Sequence, residues 1–155
     1  MAGSRWDLLQ ALDETLFDVR RMVQHPTYRK RLLRGLSYEV ELATVRLLRA
    51  VQRADDSPSV GEIAELLAIA PSTASRLIDR AIASGYVERL FSVEDRRRTR
   101  LQLSATGRSV LHEISLSRRE ILDEATDSWD DADLERLNRL LTVLVEDLGE
   151  ITASE

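Results

Sequence analysis

Small hydroxyl side chains and arginines are concentrated in one short stretch of the sequence, at Ser72, Thr73, Ser75, Arg76 and Arg80. Serine and threonine let a backbone approach a ligand closely, and an arginine fork can donate two hydrogen bonds to a guanine edge or bind a phosphate. Arg80, one helical turn after Arg76, would meet a phosphate or an acidic side chain of the same chain. These residue types indicate nucleic-acid binding. A polar helix face that is merely hydrated is the alternative.

A second arginine cluster follows at Asp95, Arg96, Arg97 and Arg98. Three adjacent guanidinium groups repel one another, so their accumulation calls for a compensating anion. The minor groove of DNA supplies one, because its narrow regions concentrate negative potential and attract arginine. Asp95 would then orient a neighbouring arginine instead of contacting DNA. A loop that only aids solubility is the alternative.

The charges are unevenly distributed along the chain, whose formal net charge is −5. Residues 71–100 carry seven arginines and four acidic residues, whereas residues 120–155 carry twelve acidic residues and two arginines. A basic segment in the middle is expected if only that part of the chain faces phosphate groups. Two ordinary hydrated surfaces would explain the same distribution.

Local signals place the first cluster at the start of a helix. Ser59 and Glu62 form a capping box that begins a short helix. Pro71 suits the first turn of a second helix, and Gly85 ends that helix. The apolar residues of the second helix recur three and four positions apart, at Ala74, Leu77, Ile78, Ala81 and Ile82. The hydroxyls and arginines therefore fall largely on its other side.

The second cluster is expected at the tip of a β-hairpin. Residues 86–91 and 99–103 are short, partly alternating and rich in β-forming residues, and the segment between them is strongly charged. A short helix, a tight turn, a second helix and a hairpin together form a winged helix-turn-helix. In that arrangement the second helix enters the major groove of DNA and the hairpin forms the wing.

A long amphipathic helix is predicted before this region. Its apolar stripe covers residues 6–23, includes Leu8 and Leu12, and ends at His25-Pro26. A further helix is predicted at about residues 37–54, before the capping box.

Two more helices are predicted after the hairpin. Ser104 is expected to cap a helix over residues 105–128, and Asp130 to cap the last helix. The leucines of the last helix alternate three and four positions apart, at Leu134, Leu137, Leu141, Leu144 and Leu148. Such a heptad pattern favours packing against another helix, including one from a second subunit.

The sequence thus predicts a mainly α-helical fold with a small β-hairpin wing, in which a winged helix-turn-helix is joined to a helical dimerisation region. We expect an N-terminal dimerisation helix and a basic segment in residues 1–35, the DNA-binding region in 36–107, and the C-terminal dimerisation helices in 108–155.

Catalysis and metal sensing find no support in the sequence. The chain has no cysteine, which excludes disulfides, thiolate metal sites and thiol-based redox sensing. Its two histidines, His25 and His112, are not spaced to share a metal ion. A glycine-rich phosphate loop and a nucleophile elbow are also missing. We expect a protein that is not an enzyme and that needs no metal or cofactor.

No apolar run of the sequence approaches the roughly 20 residues that a membrane helix needs. The first residues, MAGSRWDLLQ, also lack the apolar stretch of a signal peptide. We expect a soluble cytoplasmic protein without a membrane partner.

Residues 59–107, SVGEIAELLAIAPSTASRLIDRAIASGYVERLFSVEDRRRTRLQLSATG, resemble the core of the MarR family of transcriptional regulators. The flanking helices are similar to those of the family in their order. The resemblance implies DNA contacts from Ser72, Thr73, Ser75 and Arg76, and minor-groove insertion by Arg97 of the wing. It also implies a homodimer on double-stranded DNA with a pseudo-palindromic operator. A ligand-responsive repressor is the expected role, and an activator is the alternative that these residues leave open.

In proteins of this family an anionic aromatic compound often sits between the dimerisation helices and the DNA-binding lobe. The resemblance therefore makes Arg29, Arg31 and Arg34, in the basic segment, candidate partners of such an effector, although no ligand motif identifies it. The rival interpretation is a winged-helix module that binds a protein through its acidic tail and has no specific DNA site. The arginine-rich wing is evidence against that rival.

Overall fold

A computed structural model describes residues 4–54, 56–91 and 99–153. The chain divides into two compact units, the first ending at Arg118 and the second beginning at Arg119. The described elements are α1 (Arg5–Gln24), α2 (Pro26–Leu32), α3 (Leu42–Arg53), α4 (Val60–Leu67), α5 (Pro71–Ala83), β1 (Val87–Phe91), β2 (Thr99–Leu103), α6 (Ala105–Ala125) and α7 (Asp131–Ala153). The predicted mainly α-helical fold with one antiparallel hairpin is confirmed.

The core of the first unit lies among α3, α4, α5 and the hairpin, which contact one another. The largest fully buried side chains of these elements include Leu47, Leu48, Ile63, Ile78 and Leu101, and Leu32 of α2 and Ile114 of α6 are buried as well. Removing this apolar surface from water is the main force that holds the three helices and the hairpin together. The core therefore fixes the direction in which α5 presents its polar face.

The predicted start of α4 is confirmed. The Ser59 hydroxyl accepts a hydrogen bond from the Glu62 backbone N–H at 3.2 Å, and the Glu62 carboxylate accepts one from the Ser59 N–H at 2.6 Å. The helix ends at Leu67, and its C-cap Ala68 has a φ of 51° and a ψ of 49°, in the left-handed region. Only Ala68, Ile69 and Ala70 separate α4 from α5, so the chain turns sharply between the two helices.

The predicted helix at residues 37–54 is five residues shorter at its start, because α3 begins at Leu42. Tertiary hydrogen bonds hold the preceding segment in a non-helical conformation. The Tyr86 hydroxyl donates to the Glu39 carbonyl at 2.9 Å, and the Ser37 N–H donates to the Glu113 carboxylate at 2.9 Å. The partners come from residues far along the chain, so no local signal revealed this boundary. The basic segment, for which no helix was predicted, contains α2.

The hairpin is attached to the helices through its backbone. Val87 pairs with Leu103 and Phe91 with Thr99 in antiparallel register. The Leu101 N–H donates to the Pro58 carbonyl at 2.9 Å, so the segment before α4 runs beside β2. The base of the wing therefore has a fixed position on the helix-turn-helix.

A tight junction connects the hairpin to α6. The Ser104 hydroxyl donates to the Gly85 carbonyl at 2.6 Å and accepts from the Gly107 N–H at 3.0 Å, which confirms its predicted capping role. Gly107 is buried, and a Cβ atom there would overlap the Tyr86 carbonyl oxygen. The absence of a side chain at Gly107 is what lets α6 pass so close to the start of β1.

The second unit contains the end of α6 and α7. Helix α6 ends at Ala125, three residues before the predicted end, and Thr126 starts a turn in which its carbonyl accepts from the Trp129 N–H at 2.9 Å. The Asp130 carboxylate accepts from the Asp133 N–H at 2.8 Å, as predicted for the cap of α7.

The long terminal helices α1 and α7 are described over their full length, and neither has a buried residue. The large apolar side chains of α1 that stay exposed range from Leu16 at 38% to Trp6 at 76%. On α7 they range from Leu134 at 36% to Val145 at 69%. Surfaces this apolar usually mark an interface with another molecule.

In the part of the chain that the structure describes, none of the helices combines the length and the apolar character that a membrane span requires.

Candidate nucleic-acid interface

Helix α5 presents the predicted hydroxyl and arginine cluster. Ser72, Thr73 and Arg76 are exposed, and Ser75 is half-buried. The opposite face of the helix is buried, with Ala74 and Ile78 fully enclosed and Leu77 5% exposed. The apolar face is therefore fixed in the core while the polar face points outward, which is the arrangement that a helix entering a groove requires.

The N-terminal end of α5 is suited to a negatively charged partner. Ala70 is the N-cap and no side chain of the described residues caps it, while Pro71 occupies the first turn. The first backbone N–H groups of a helix carry partial positive charge and lack partners within the helix. Phosphate oxygens are acceptors that such an uncapped end can bind, in addition to the side chains of Ser72 and Thr73.

Arg80 has an acidic neighbour within the first unit. Its guanidinium lies 3.7 Å from the carboxylate of Glu41, the N-cap residue of α3, and both side chains are largely exposed. The sequence left open whether Arg80 meets a phosphate or an acidic side chain. In the protein without DNA, Arg80 is paired with the acidic side chain of Glu41. An exposed pair at this distance is weak, so a phosphate could replace Glu41 at little cost.

Two further arginines of residues 71–100 are also paired. Arg89 of β1 lies 2.5 Å from Asp79 of α5, and Arg100 of β2 lies 3.1 Å from Glu62 of α4. The sequence analysis counted both only as part of the positive charge and missed their acidic partners. No sequence signal could have found them, because each partner lies ten or more residues away on another element.

The predicted wing residues Asp95, Arg96, Arg97 and Arg98 lie outside the described residues. The prediction of a DNA contact from Arg97 therefore stays a prediction. The strands on either side of this segment are described, and their last pair is Phe91 with Thr99.

The leucines predicted for the dimer interface lie on exposed helix surfaces. Leu8 and Leu12 of α1 are 67% and 40% exposed. On α7, Leu137, Leu141 and Leu148 are 41%, 39% and 48% exposed, and Leu144 is half-buried. Each helix thus has a row of leucines available to a partner.

A basic cavity lies beside α2. Its volume is about 600 Å³, and it is lined by Thr27, Lys30, Arg31 and Arg34. The resemblance had suggested Arg29, Arg31 and Arg34 as partners of an effector, and the structure brings the last two together with Lys30 but does not place Arg29 in the lining. A cavity lined by cationic side chains suits a small anion.

The histidines and carboxylates of the described ranges form no recognisable metal site. His25 caps α2, and its Nδ1 accepts a hydrogen bond from the Thr27 N–H at 3.3 Å. Within the described ranges, no group of three or more histidine or acidic side chains is arranged to hold a metal ion.

Three packed helices, the last with a polar outer face, followed by an antiparallel hairpin define the winged-helix class of proteins. Residues 38–98 match the model of the MarR family. These residues therefore carry the MarR-family signature, and the resemblance predicted from the sequence is confirmed.

Known proteins agree with this assignment. An uncharacterized HTH-type transcriptional regulator of Bacillus subtilis, YsmB, is 32% identical over 76 residues, which cover 49% of this chain and 52% of that protein. The matched segment thus spans about half of the relative's length.

Solved structures share the fold over nearly the whole chain. A MarR family protein from Bacillus stearothermophilus has a TM-score of 0.81 at 20% identity, with 95% of this chain and 99% of that chain covered. FabT of Streptococcus pneumoniae, solved in complex with DNA, has a TM-score of 0.72 at 19% identity, with 92% and 99% covered. At these identities the likeness establishes the fold.

Proposed function

We propose that this protein is a transcriptional regulator that binds duplex DNA sequence-specifically as a homodimer. The observation that carries the proposal is the outward face of α5, where exposed Ser72, Thr73 and Arg76 lie beside an uncapped helix end. Such a face can donate hydrogen bonds to base edges and phosphates together. The FabT structure, a relative in fold solved with DNA, supports the same use of this fold.

The proposed dimer rests on α1 and α7. Both helices expose long rows of apolar side chains, among them Leu12 and Leu141, and a second copy of the chain would cover them. A two-fold symmetric protein requires a two-fold symmetric site, so the operator is expected to be pseudo-palindromic. Its half-sites would lie about 10 base pairs apart, because that spacing places successive major grooves on one face of B-DNA.

We further propose that the regulator is a repressor released by a small anionic aromatic compound. The cavity beside α2, with Lys30, Arg31 and Arg34 around it, supports an anionic effector. A compound that binds the DNA-free form more tightly by about 1–3 kcal/mol would lower operator affinity roughly 5- to 150-fold.

The experiment that tests DNA binding is an electrophoretic mobility shift with the purified protein and DNA from its own promoter region. Salt and unrelated competitor DNA would be titrated into the mixture. Specific binding that weakens steeply with salt would support the proposal, because phosphate contacts release counterions. Binding no tighter than to unrelated DNA would favour the winged-helix protein-interaction module, and a pull-down would then search for its partner.

Arg97→Ala is expected to weaken operator binding. It should also lower the slope of the logarithm of the binding constant against the logarithm of the salt concentration, by about 0.9 for each phosphate that the arginine neutralises. The physical reason is the removal of the arginine predicted to enter the minor groove. The same titration on Arg139→Ala provides the control, since Arg139 lies on α7, in the second unit. An equal effect in the control variant would reject the wing assignment.

Arg76→Ala is expected to cost about 1–3 kcal/mol of operator affinity and to relax the preference for one base pair in each half-site. Competition with operators altered at single base pairs measures this preference. Arg46→Ala, which removes an exposed arginine from α3, serves as the control and should leave base preference unchanged. A uniform loss of affinity on every sequence would mean that Arg76 contacts phosphate alone.

A further inference from the structure

Each strand of the hairpin carries an arginine that is paired with a different helix of the helix-turn-helix. On β1, Arg89 Nη2 lies 2.5 Å from Asp79 Oδ1 of α5. On β2, Arg100 Nη1 donates to Glu62 Oε2 of α4 at 3.1 Å and to the Ser57 carbonyl at 3.0 Å. The wing base is thereby linked through side chains to both helices.

We propose that Arg89 and Arg100 are positioning residues that fix the wing relative to α4 and α5, and that neither is a phosphate ligand. The inference rests on the proposed DNA-binding function, because a fixed wing matters only if it must reach a groove at the same time as α5. It assigns a structural role to two arginines whose charge alone would place them at the DNA.

The strand register supports this role. Arg89 pairs with Leu101 and therefore lies on the hairpin face that carries the buried Val87 and Leu103. Arg100 pairs with Leu90 and lies on the opposite face, because successive side chains of a strand alternate. The two ion pairs thus hold the hairpin from both of its faces, which opposes rotation of the wing in either direction.

The contacts of Arg100 also argue against a phosphate role. The Glu62 carboxylate that accepts the hydrogen bond from Arg100 also accepts one from the Ser59 N–H at 2.6 Å, which is part of the α4 capping box. The Arg100 side chain is 33% exposed, and its Nη1 has two acceptors within the protein. Moving Arg100 to a phosphate would break both hydrogen bonds and disturb the environment of the α4 cap.

The test uses two double variants that remove an ion pair without altering net charge, D79N/R89Q and E62Q/R100Q. Glutamine at position 62 keeps an acceptor for the cap, because capping boxes use either glutamate or glutamine. We expect operator affinity to fall about twofold to fivefold in each variant, the range expected for exposed ion pairs, with the salt slope unchanged. A slope lower by about 0.9 or more would overturn the proposal, because it would show that the arginine had neutralised a phosphate. An unchanged affinity would also overturn it.

A second measurement does not depend on DNA. Amide hydrogen exchange of β1 and β2 in the free protein is expected to be faster in both double variants, and unchanged exchange would contradict the positioning role. The control is D18N/R21Q, which removes an exposed ion pair of 3.1 Å on α1, far along the chain from the hairpin. If the natural protein failed to bind its promoter DNA, the proposed function would fail, while the exchange data would still test the two ion pairs.

Discussion

Leu141→Glu is expected to convert the proposed homodimer into monomers and to abolish the proposed specific DNA binding with it. Leu141 lies in the heptad row of α7 and is 39% exposed in the single chain, so a partner helix would cover it. Burying an unpaired carboxylate at the interface would cost about 3 kcal/mol or more, which raises the dissociation constant of the dimer by roughly 100-fold. Sedimentation velocity measures the oligomeric state, and a mobility shift measures DNA binding.

Val143→Glu is the matched control for that substitution. Val143 is 48% exposed on the same helix, but helical periodicity places it on the side away from Leu141. The control variant should stay dimeric and bind DNA. A Leu141→Glu protein that remained dimeric would show that α7 does not form the interface through its leucine row.

Gly107→Ala is expected to destabilise the first unit by about 3 kcal/mol, within the range for overpacked sites whose neighbours cannot move. The added methyl group would overlap the Tyr86 carbonyl oxygen, and that backbone is fixed because it also accepts from the Ser104 N–H at 3.1 Å. For a chain of this length the destabilisation corresponds to a fall in Tm of about 6–12 °C. Thermal unfolding followed by circular dichroism measures it.

Gly61→Ala makes the same chemical change in the first turn of α4 and is the control. Ser59 Oγ, at 3.9 Å, is the nearest atom that a Cβ at Gly61 would meet. Alanine is the better helix former, so this variant should be more stable by about 0.5–1 kcal/mol. Equal stability of the two variants would mean that the junction at Tyr86 can relax.

The elements that depend on neighbouring residues could be predicted from the sequence. The capping box at Ser59 and the cap at Asp130 use partners only three residues away, and the structure has both. Pro71 and Gly85 act through their own backbone restrictions and mark the limits of α5 as expected. The exposed face of α5 followed from the spacing of its apolar residues, since that spacing decides which side enters the core.

Features that depend on distant residues could not be predicted. The late start of α3 results from hydrogen bonds with Tyr86 and Glu113, on elements that follow much later in the sequence. The acidic partners of Arg89 and Arg100 likewise become neighbours only once the hairpin packs on the helices. Counting charges along the sequence therefore overstated the number of arginines that are free to meet phosphate.

The terminal helices α1 and α7 have no buried residue, and this affects how the proposed regulator would respond to its own concentration. If α1 and α7 obtain their packing only from another copy, association and the ordering of these helices are a single equilibrium. Well below the dissociation constant of such a dimer, the dimer concentration varies with the square of the chain concentration. Halving the amount of chain would then cut the dimer about fourfold. Promoter occupancy would thus follow gene dosage more steeply than it could for a regulator that acts as a single chain.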